Sequence, residues 1–326
     1  MSAPKEARTV SDRVLDRIDE VVVGKREQAK MLLAALTVSG HVLLEDVPGV
    51  GKTLLARTFA SVTSLTFKRV QFTPDLLPSD VTGTYIWSPK DSEFHWRPGP
   101  VFTNVLLADE LNRATPRTQS SLLEAMEERQ VTSEGDTRPL PSPFMVVATQ
   151  NPIEMEGTFP LPEAQLDRFL LKIEMGYPSR EQETEILRRF IDGAAPVAAA
   201  GLLPEPASES ELDLLREAAR RVYISPDITS YILSIAEKTR EHKGLSLGVS
   251  PRGTLYLARL ARAWAALDGR EYVLPDDVKR MAVPCLAHRI IPKVEASLRG
   301  KTGRDVIESV LSEVPVPVGN DMPLGT

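Results

Sequence analysis

Three stretches of this chain put chemically capable side chains at the ends of short apolar runs. The first is Glu45-Asp46-Val47-Pro48-Gly49-Val50-Gly51-Lys52-Thr53, between the apolar run Val42-Leu43-Leu44 and a helical stretch from Thr53 to Ala60. Small residues let the backbone N–H groups of such a loop curl around phosphate, which then sits at the helix N-terminus. In that setting Lys52 reaches the β- and γ-phosphates of a nucleotide, and the Thr53 hydroxyl ligates Mg²⁺. The place that usually opens this loop with Gly holds Asp46, yet Gly49 and Gly51 still permit the tight turn. A Gly-rich strand–helix turn that binds nothing is the plainer alternative. The Gly-Lys-Thr in its strand–helix context argues against it.

The second stretch is Val105-Leu106-Leu107-Ala108-Asp109-Glu110, an apolar strand ending in two carboxylates. Ligands bind at the carboxyl ends of parallel strands, so Asp109 is placed to hold Mg²⁺, directly or through water. Glu110 is placed to accept the proton of an attacking water. The third is Val146-Val147-Ala148-Thr149-Gln150-Asn151-Pro152. Asn151 either orients that water or simply bonds its own backbone in an Asn-Pro turn; the residues alone leave both open.

These ends need a scaffold, and the hydrophobic pattern supplies one. Buried-strand runs at 42–44, 67–72, 105–108 and 144–148 alternate with helical stretches, among them one capped by Thr115 with Pro116 at its first position. Such alternation predicts an α/β fold, a parallel sheet with helices on both faces. Ahead of it, residues 1–8 read as a loose leader, and Ser11 as the N-cap of a first helix. A second helix is expected from Arg26 to Val38. After about residue 178 the strand signal stops. Helices are expected near 210–222, 226–242, 251–268, 275–289 and 302–312, with Pro284 kinking or ending the fourth. The chain thus divides into an α/β domain at 1–178, a linker with the first lid elements at 179–209 and an all-α lid at 210–314. A flexible tail follows at 315–326.

Composition narrows the function classes. Among 326 residues, 39 Lys plus Arg against 45 Asp plus Glu give a net charge of −6, which counts against nucleic acid as the main partner. The single Cys285 excludes an intrachain disulfide and reads as a small buried hydrophobe. The scattered His41, His95, His242 and His288 offer no zinc site. No apolar run approaches the roughly 20 residues of a spanning helix, and the first residues lack a signal-peptide core. A cytoplasmic location is the expectation. Trp264, with Leu260 and Leu267 at helical spacing, reads as lid core.

Taken together, Leu44-Glu45-Asp46-Val47-Pro48-Gly49-Val50-Gly51-Lys52-Thr53, Gln71-Phe72-Thr73-Pro74-Asp75-Leu76-Leu77-Pro78-Ser79-Asp80, Ala108-Asp109-Glu110-Leu111-Asn112-Arg113-Ala114, Ala148-Thr149-Gln150-Asn151-Pro152 and Leu161-Pro162-Glu163-Ala164-Gln165-Leu166-Asp167-Arg168-Phe169 resemble the MoxR family of AAA+ ATPases. The likeness runs from about residue 11 to 314, and Asp46 is frequent at its place in that family. It implies a Walker A loop spanning Asp46 to Leu54 around Lys52 and Thr53, and a Walker B pair in Asp109 and Glu110. Asn151 corresponds to sensor 1, Arg168 to the arginine finger that reaches a neighbouring subunit, and Arg252 to sensor 2. Val22-Val23-Gly24 corresponds to the segment lining the adenine pocket, and Gln71 to a polar switch that restrains the catalytic Glu. Residues 73–100 correspond to an insertion in helix 2, and residues 129–142 to a hairpin before sensor 1. The insertions of this clade tend to face a pore or partner.

The family further implies ATP/ADP and Mg²⁺ as cofactors, a homo-oligomeric ring (a hexamer) and a lid closing on the nucleotide. It also implies chaperone-like remodelling or maturation of a client, often with a von Willebrand factor A-type partner. From composition alone Arg168 is an ordinary surface Arg. Arg252 sits in a first helical turn, where a cation opposes the helix dipole and so fits a ligand role. Arg113 and Arg117 stay unassigned. A nucleic-acid-stimulated motor and a nucleotide-gated scaffold with negligible turnover are the rival functions. The acidic stretch Thr132 to Arg138 disfavours the first, and Glu110 with Asn151 the second.

Overall fold

A computed structural model describes residues 3–45, 49–151, 157–192 and 206–317. Asp46, Val47, Pro48 and Pro152 lie outside the described residues, as do residues 193–205 of the 179–209 linker and the end of the 315–326 tail.

The chain begins with α1 (Ala3–Val21) and α2 (Arg26–Thr37), followed by β1 (Val42–Glu45), α3 (Lys52–Val62) and β2 (Phe67–Gln71). Next come a short α4 (Pro78–Thr82) and a hairpin of β3 (Gly83–Ser88) with β4 (Glu93–Pro98). β5 (Val105–Asp109) leads through a 3₁₀ turn into α5 (Pro116–Glu128), a second hairpin of β6 (Gln130–Ser133) with β7 (Asp136–Pro139), and β8 (Met145–Gln150). α6 (Glu163–Leu166), β9 (Leu171–Glu174) and α7 (Arg180–Ile191) complete the first part. The second part is helical: α8 (Glu209–Arg221), α9 (Pro226–Glu241), α10 (Pro251–Leu267), α11 (Pro275–Leu286), α12 (Val294–Leu298) and α13 (Gly303–Glu313). β10 (Leu245–Leu247) and β11 (Ile291–Pro292) pair antiparallel among these helices.

Five parallel strands form one sheet in the order β2-β5-β8-β1-β9. The register aligns their carboxyl ends: Gln71 lies beside Asp109, Leu44 beside Thr149, and Glu45 beside both Gln150 and Glu174. Alternate side chains go to opposite faces. Leu43, Leu106, Ala108, Val146 and Ala148 join one core with α5, while Val42, Leu44, Val105, Leu107 and Val147 join another. That second core continues without a break through α1 and α2 into α8, α10 and α11.

Serine caps set the helical part. Ser208, Ser225 and Ser250 each accept an N–H from the first turn of α8, α9 and α10, and proline follows directly in the last two. Both hairpins fall within the expected 73–100 and 129–142 segments.

Three expectations need correction. Residues 3–8 are not a leader: α1 starts at Ala3, because Ala7, Val10, Val14 and Ile18 form one buried stripe against α2, α3, α8 and α10. Ser11 is therefore no cap but a fully buried mid-helix residue. β9 and α7 carry no distinct signal in the sequence, and strands do recur after residue 178, as the small β10–β11 pair. α11 ends two residues after Pro284, at Leu286, in keeping with the expected end or kink there.

Candidate functional site at the two edges of the sheet

At the carboxyl edge, Gly49 and Gly51 have φ of 84° and 89°. A Cβ added to either would touch nothing, so it is the left-handed backbone, not space, that calls for glycine. Gly51 is the N-cap of α3, so Lys52 and Thr53 stand in its first turn. Val50 and Leu54 pack on the core behind them.

β5 is buried along its whole length and delivers Asp109 to the same edge. Its Oδ1 accepts the Thr149 hydroxyl at 2.6 Å. Its Oδ2 accepts Arg69 Nε and Nη2 at 3.0 and 2.7 Å. Glu110 then turns sharply, with φ 55° and ψ 48°, a conformation unusual outside glycine and frequent where backbone strain serves a site. Its N–H donates to Thr149 Oγ1 at 2.8 Å, so a single hydroxyl fixes both acidic residues. Its Oε2 accepts Gln71 Nε2 at 2.6 Å and Arg113 Nη1 at 2.8 Å, and Arg69 Nη2 holds Gln71 Oε1 at 2.9 Å. Asn151, 6% exposed, follows two residues after Thr149.

Val23 and Gly24 reach this edge from the turn between α1 and α2. A Cβ on Gly24 would strike the Gln182 side chain in the first turn of α7. Next to it, buried Lys25 donates to the carbonyls of Met175 and Gly176, at 2.7 and 2.8 Å, just beyond β9.

The donor set suits Mg²⁺ and nothing softer. Among the described residues no three His, Cys, Asp or Glu surround a metal position. Thr53 and Asp109 offer hard oxygens, and Mg²⁺ commonly takes one or two such protein ligands with nucleotide phosphates and water.

The opposite, amino edge holds the two arginines. α5 runs back from the carboxyl edge, so Glu127 near its end lies beside Ser39-Gly40-His41, which precede β1. Leu170, just ahead of β9, donates its N–H to the His41 carbonyl at 2.8 Å. Arg168, two residues before it, pairs through Nε with Glu127 Oε2 at 2.9 Å. Arg252, in the first turn of α10, donates from Nη2 to Glu127 Oε1 at 2.9 Å, which raises its pKa further. Its Nε lies 3.8 Å from Asp167 Oδ2. Buried Arg289 anchors that segment, with Nε 2.9 Å from Asp167 Oδ1.

The sequence-predicted residues therefore fall into two groups. Lys52, Thr53, Asp109, Glu110 and Asn151 gather at one edge, and Arg168 with Arg252 at the other. A four-residue strand spans about 13 Å, so neither arginine reaches the phosphate loop of its own chain. The helical lid does not close over that loop through Arg252; it presents this residue at the amino edge. Sequence reasoning missed Thr149, Arg69, Glu127 and Arg289. Thr149 carried a signal, a hydroxyl closing an apolar strand. The partners of the arginines did not, since Glu127 is one of three acids on an amphipathic helix.

Comparison with known proteins places this geometry. Residues 41–171 match the ATPase family associated with various cellular activities, and residues 237–310 match the AAA lid domain. The chain is 43% identical to chaperone MoxR1 of Mycobacterium tuberculosis, over 96% of this chain and 84% of that one. It is 34% identical to protein MoxR of Paracoccus denitrificans, over 92% and 94%. This chain belongs to the MoxR family of AAA+ ATPases. Its MoxR fold also superimposes on a crystal structure from Cytophaga hutchinsonii with a TM-score of 0.88 and 40% identity, covering 97% of both chains. YeaC of Bacillus subtilis, itself uncharacterized, is 48% identical over 98% of both chains. Among the described residues no helix is long and apolar enough to cross a membrane.

Proposed function

We propose that this MoxR-family member is a Mg²⁺-dependent ATP hydrolase that works in the cytoplasm as a homo-oligomeric ring, a hexamer. Hydrolysis drives remodelling or maturation of a client, with a von Willebrand factor A-type protein as the partner class. Lys52 and the loop N–H groups bind the phosphates. Thr53 and Asp109 hold Mg²⁺, which when bound neutralises developing charge on the transferring phosphoryl group. Val23 and Gly24 border the adenine. Glu110 accepts the proton of the lytic water, Asn151 orients that water, and Gln71 with Arg113 fixes the direction of the carboxylate.

The observation that carries this reading is the Thr149–Asp109–Glu110–Gln71 network at the carboxyl edge. It supports an assembled acid pair in register with the strand that leads into the loop. The distance between edges supports the ring. Arginines that do not reach their own loop serve the next subunit's nucleotide, through a head-to-tail contact that closes on itself.

Glu110→Gln should retain ATP binding and lose turnover, and Lys52→Ala should lose binding. Turnover retained by Glu110→Gln would assign the base elsewhere, and unchanged binding by Lys52→Ala would remove the loop from the site. Affinity purification with the Glu110→Gln trap, read by mass spectrometry, names the client. Absence of any nucleotide-dependent client would favour a scaffold.

A further inference from the structure

Beside the Arg168–Arg252 pocket lies a second hollow of about 170 Å³, bounded by Val38 and Ser39 and by Arg216, Arg220, Arg259 and Arg262. Its walls are α8 and α10, which pack on each other and on α2. Arg216 and Arg220 are four residues apart, and Arg259 and Arg262 three apart. Each helix therefore stacks two cations on one face, an arrangement that disfavours the helix by itself.

Ordinary structural roles account for part of this set. Arg259 caps the end of α2 by donating to the Val38 carbonyl at 2.6 Å, and neighbouring Arg129 does the same to Ser39 at 2.7 Å. Arg216 Nη1 pairs with Asp213 at 2.6 Å. The remainder has no such account. Arg216 Nη2 and Arg262 Nε are buried donors without an acceptor. Among the described residues neither Arg220 nor Arg262 has an ion-pair partner. Arg129 is held below its ordinary pKa by burial and by the charges of Arg259 and Arg216, and Arg262 by burial alone. Four guanidinium groups converge on one concave surface of an acidic protein, and two of their donors are already dehydrated and unused. A buried donor left unpaired is costly, and guanidinium forks match phosphate oxygens bidentately.

We propose that this hollow is a binding site for a compact phosphate anion, held by Arg216, Arg220, Arg259 and Arg262 and separate from the nucleotide site. Its position between α2, α8 and α10 ties bound anion to the packing of the helical lid on the α/β part. The adjoining Arg168–Arg252 pocket shares only Val38, Ser39 and Arg259 with it, and there Glu127 already pairs with both Arg168 and Arg252.

The test is calorimetric titration of the full-length Lys52→Ala chain with inorganic pyrophosphate, in chloride buffer, so that the phosphate loop contributes nothing. Saturable one-to-one binding is expected. Arg220→Glu, which alters an exposed residue without a partner and should leave the fold intact, should weaken it at least about tenfold. Arg262→Lys, which loses the Nε donor and the planar fork, should weaken it as well, and Arg168→Ala should keep all of it. Absence of saturable binding to Lys52→Ala, or equal affinity in Arg220→Glu, overturns the proposal. So does loss of binding in Arg168→Ala with Arg220→Glu unaffected, which moves the anion to the neighbouring pocket. A rise in molecular mass instead of anion binding, measured by light scattering, would assign the hollow to acidic groups of a second copy.

Discussion

The two edges of the sheet are chemical opposites. At the carboxyl edge two carboxylates are the fixed points, and every neighbour donates to them: Thr149, Arg69, Gln71 and Arg113. At the amino edge arginines are the fixed points, and one carboxylate, Glu127, is divided between two of them. The first edge is organised around acids held by several donors, the second around cations that share a single acid. On the function proposed above, the difference means that neither edge is a whole active site. Each would then supply what the other lacks, and the length of the strands keeps them apart.

The strongest way to break this comparison is to remove the cation. Arg168→Ala should bind ATP normally and lose about 10³-fold or more in turnover. Mixing it with Lys52→Ala should restore part of the activity, because each variant supplies the edge the other lacks. No recovery in mixed, exchanging assemblies would place Arg168 outside the neighbour's site. Next comes the acid: Glu110→Gln should lower kcat at least about 10²-fold with ATP affinity retained, measured by single-turnover hydrolysis.

The edges also differ in their response to pH. His41 is buried at the amino edge. Its Nδ1 accepts the Val146 N–H at 3.0 Å, its Nε2 donates to the Met126 carbonyl, and burial lowers its pKa to about 4. Between that value and the ordinary 6.5 the unfolded chain binds a proton that the native chain does not, so stability falls on acidification. His288, also buried and pushed down, acts in the same direction. Urea unfolding at pH 7 and 4.5 should show a loss of about 2 kcal/mol from His41 alone, absent in His41→Gln. An unchanged difference in that variant would locate the pH sensitivity elsewhere.

Thr149→Val is a smaller cut. It keeps the shape and removes the hydroxyl between Asp109 and Glu110. The expected cost is about 1–2 kcal/mol of stability, with a kcat loss of about tenfold because Glu110 is no longer held in its left-handed turn. Unchanged kcat would show that Gln71 and Arg113 suffice to aim it. The smallest effect belongs to Glu127→Gln. Its ion pairs are part-exposed, with side chains 30–43% accessible, so stability should change by less than about 1 kcal/mol. KM for ATP should fall modestly once no acid competes for the two arginines. A raised KM would mean that Glu127 positions them.

Much of the carboxyl edge was legible because its residues close apolar strands. The runs ending at Glu45, Asp109 and Gln150 announce both the strand and the polar side chain it delivers. The lid helices were legible for a related reason, since Ser-Pro pairs mark the starts of α9 and α10. The amino edge was not. Arg168 and Arg252 are 84 residues apart and meet only because α5 returns Glu127 to the start of the sheet. Nothing local in the sequence encodes that return. β9 failed for another reason: Leu171-Lys172-Ile173-Glu174 is an edge strand whose alternation is short, and its Lys172 finds Glu45 only through the register. The N-terminal helix failed because Ser11 looked like a cap, while packing against α8 and α10 decided the matter.

The joint between α5 and the second hairpin links the amino edge to both hairpins. Arg129 is the only residue between Glu128 and β6, and its carbonyl also receives the Leu140 N–H at 2.9 Å, which closes the hairpin's base. That hairpin grips the first one, with Arg138 4.4 Å above the Trp96 ring and 2.8 Å from the Tyr85 hydroxyl. Glu127, held by the two arginines, is thus two residues from this joint, and the connected unit ends at the exposed Trp87–Phe94 pair of the first hairpin.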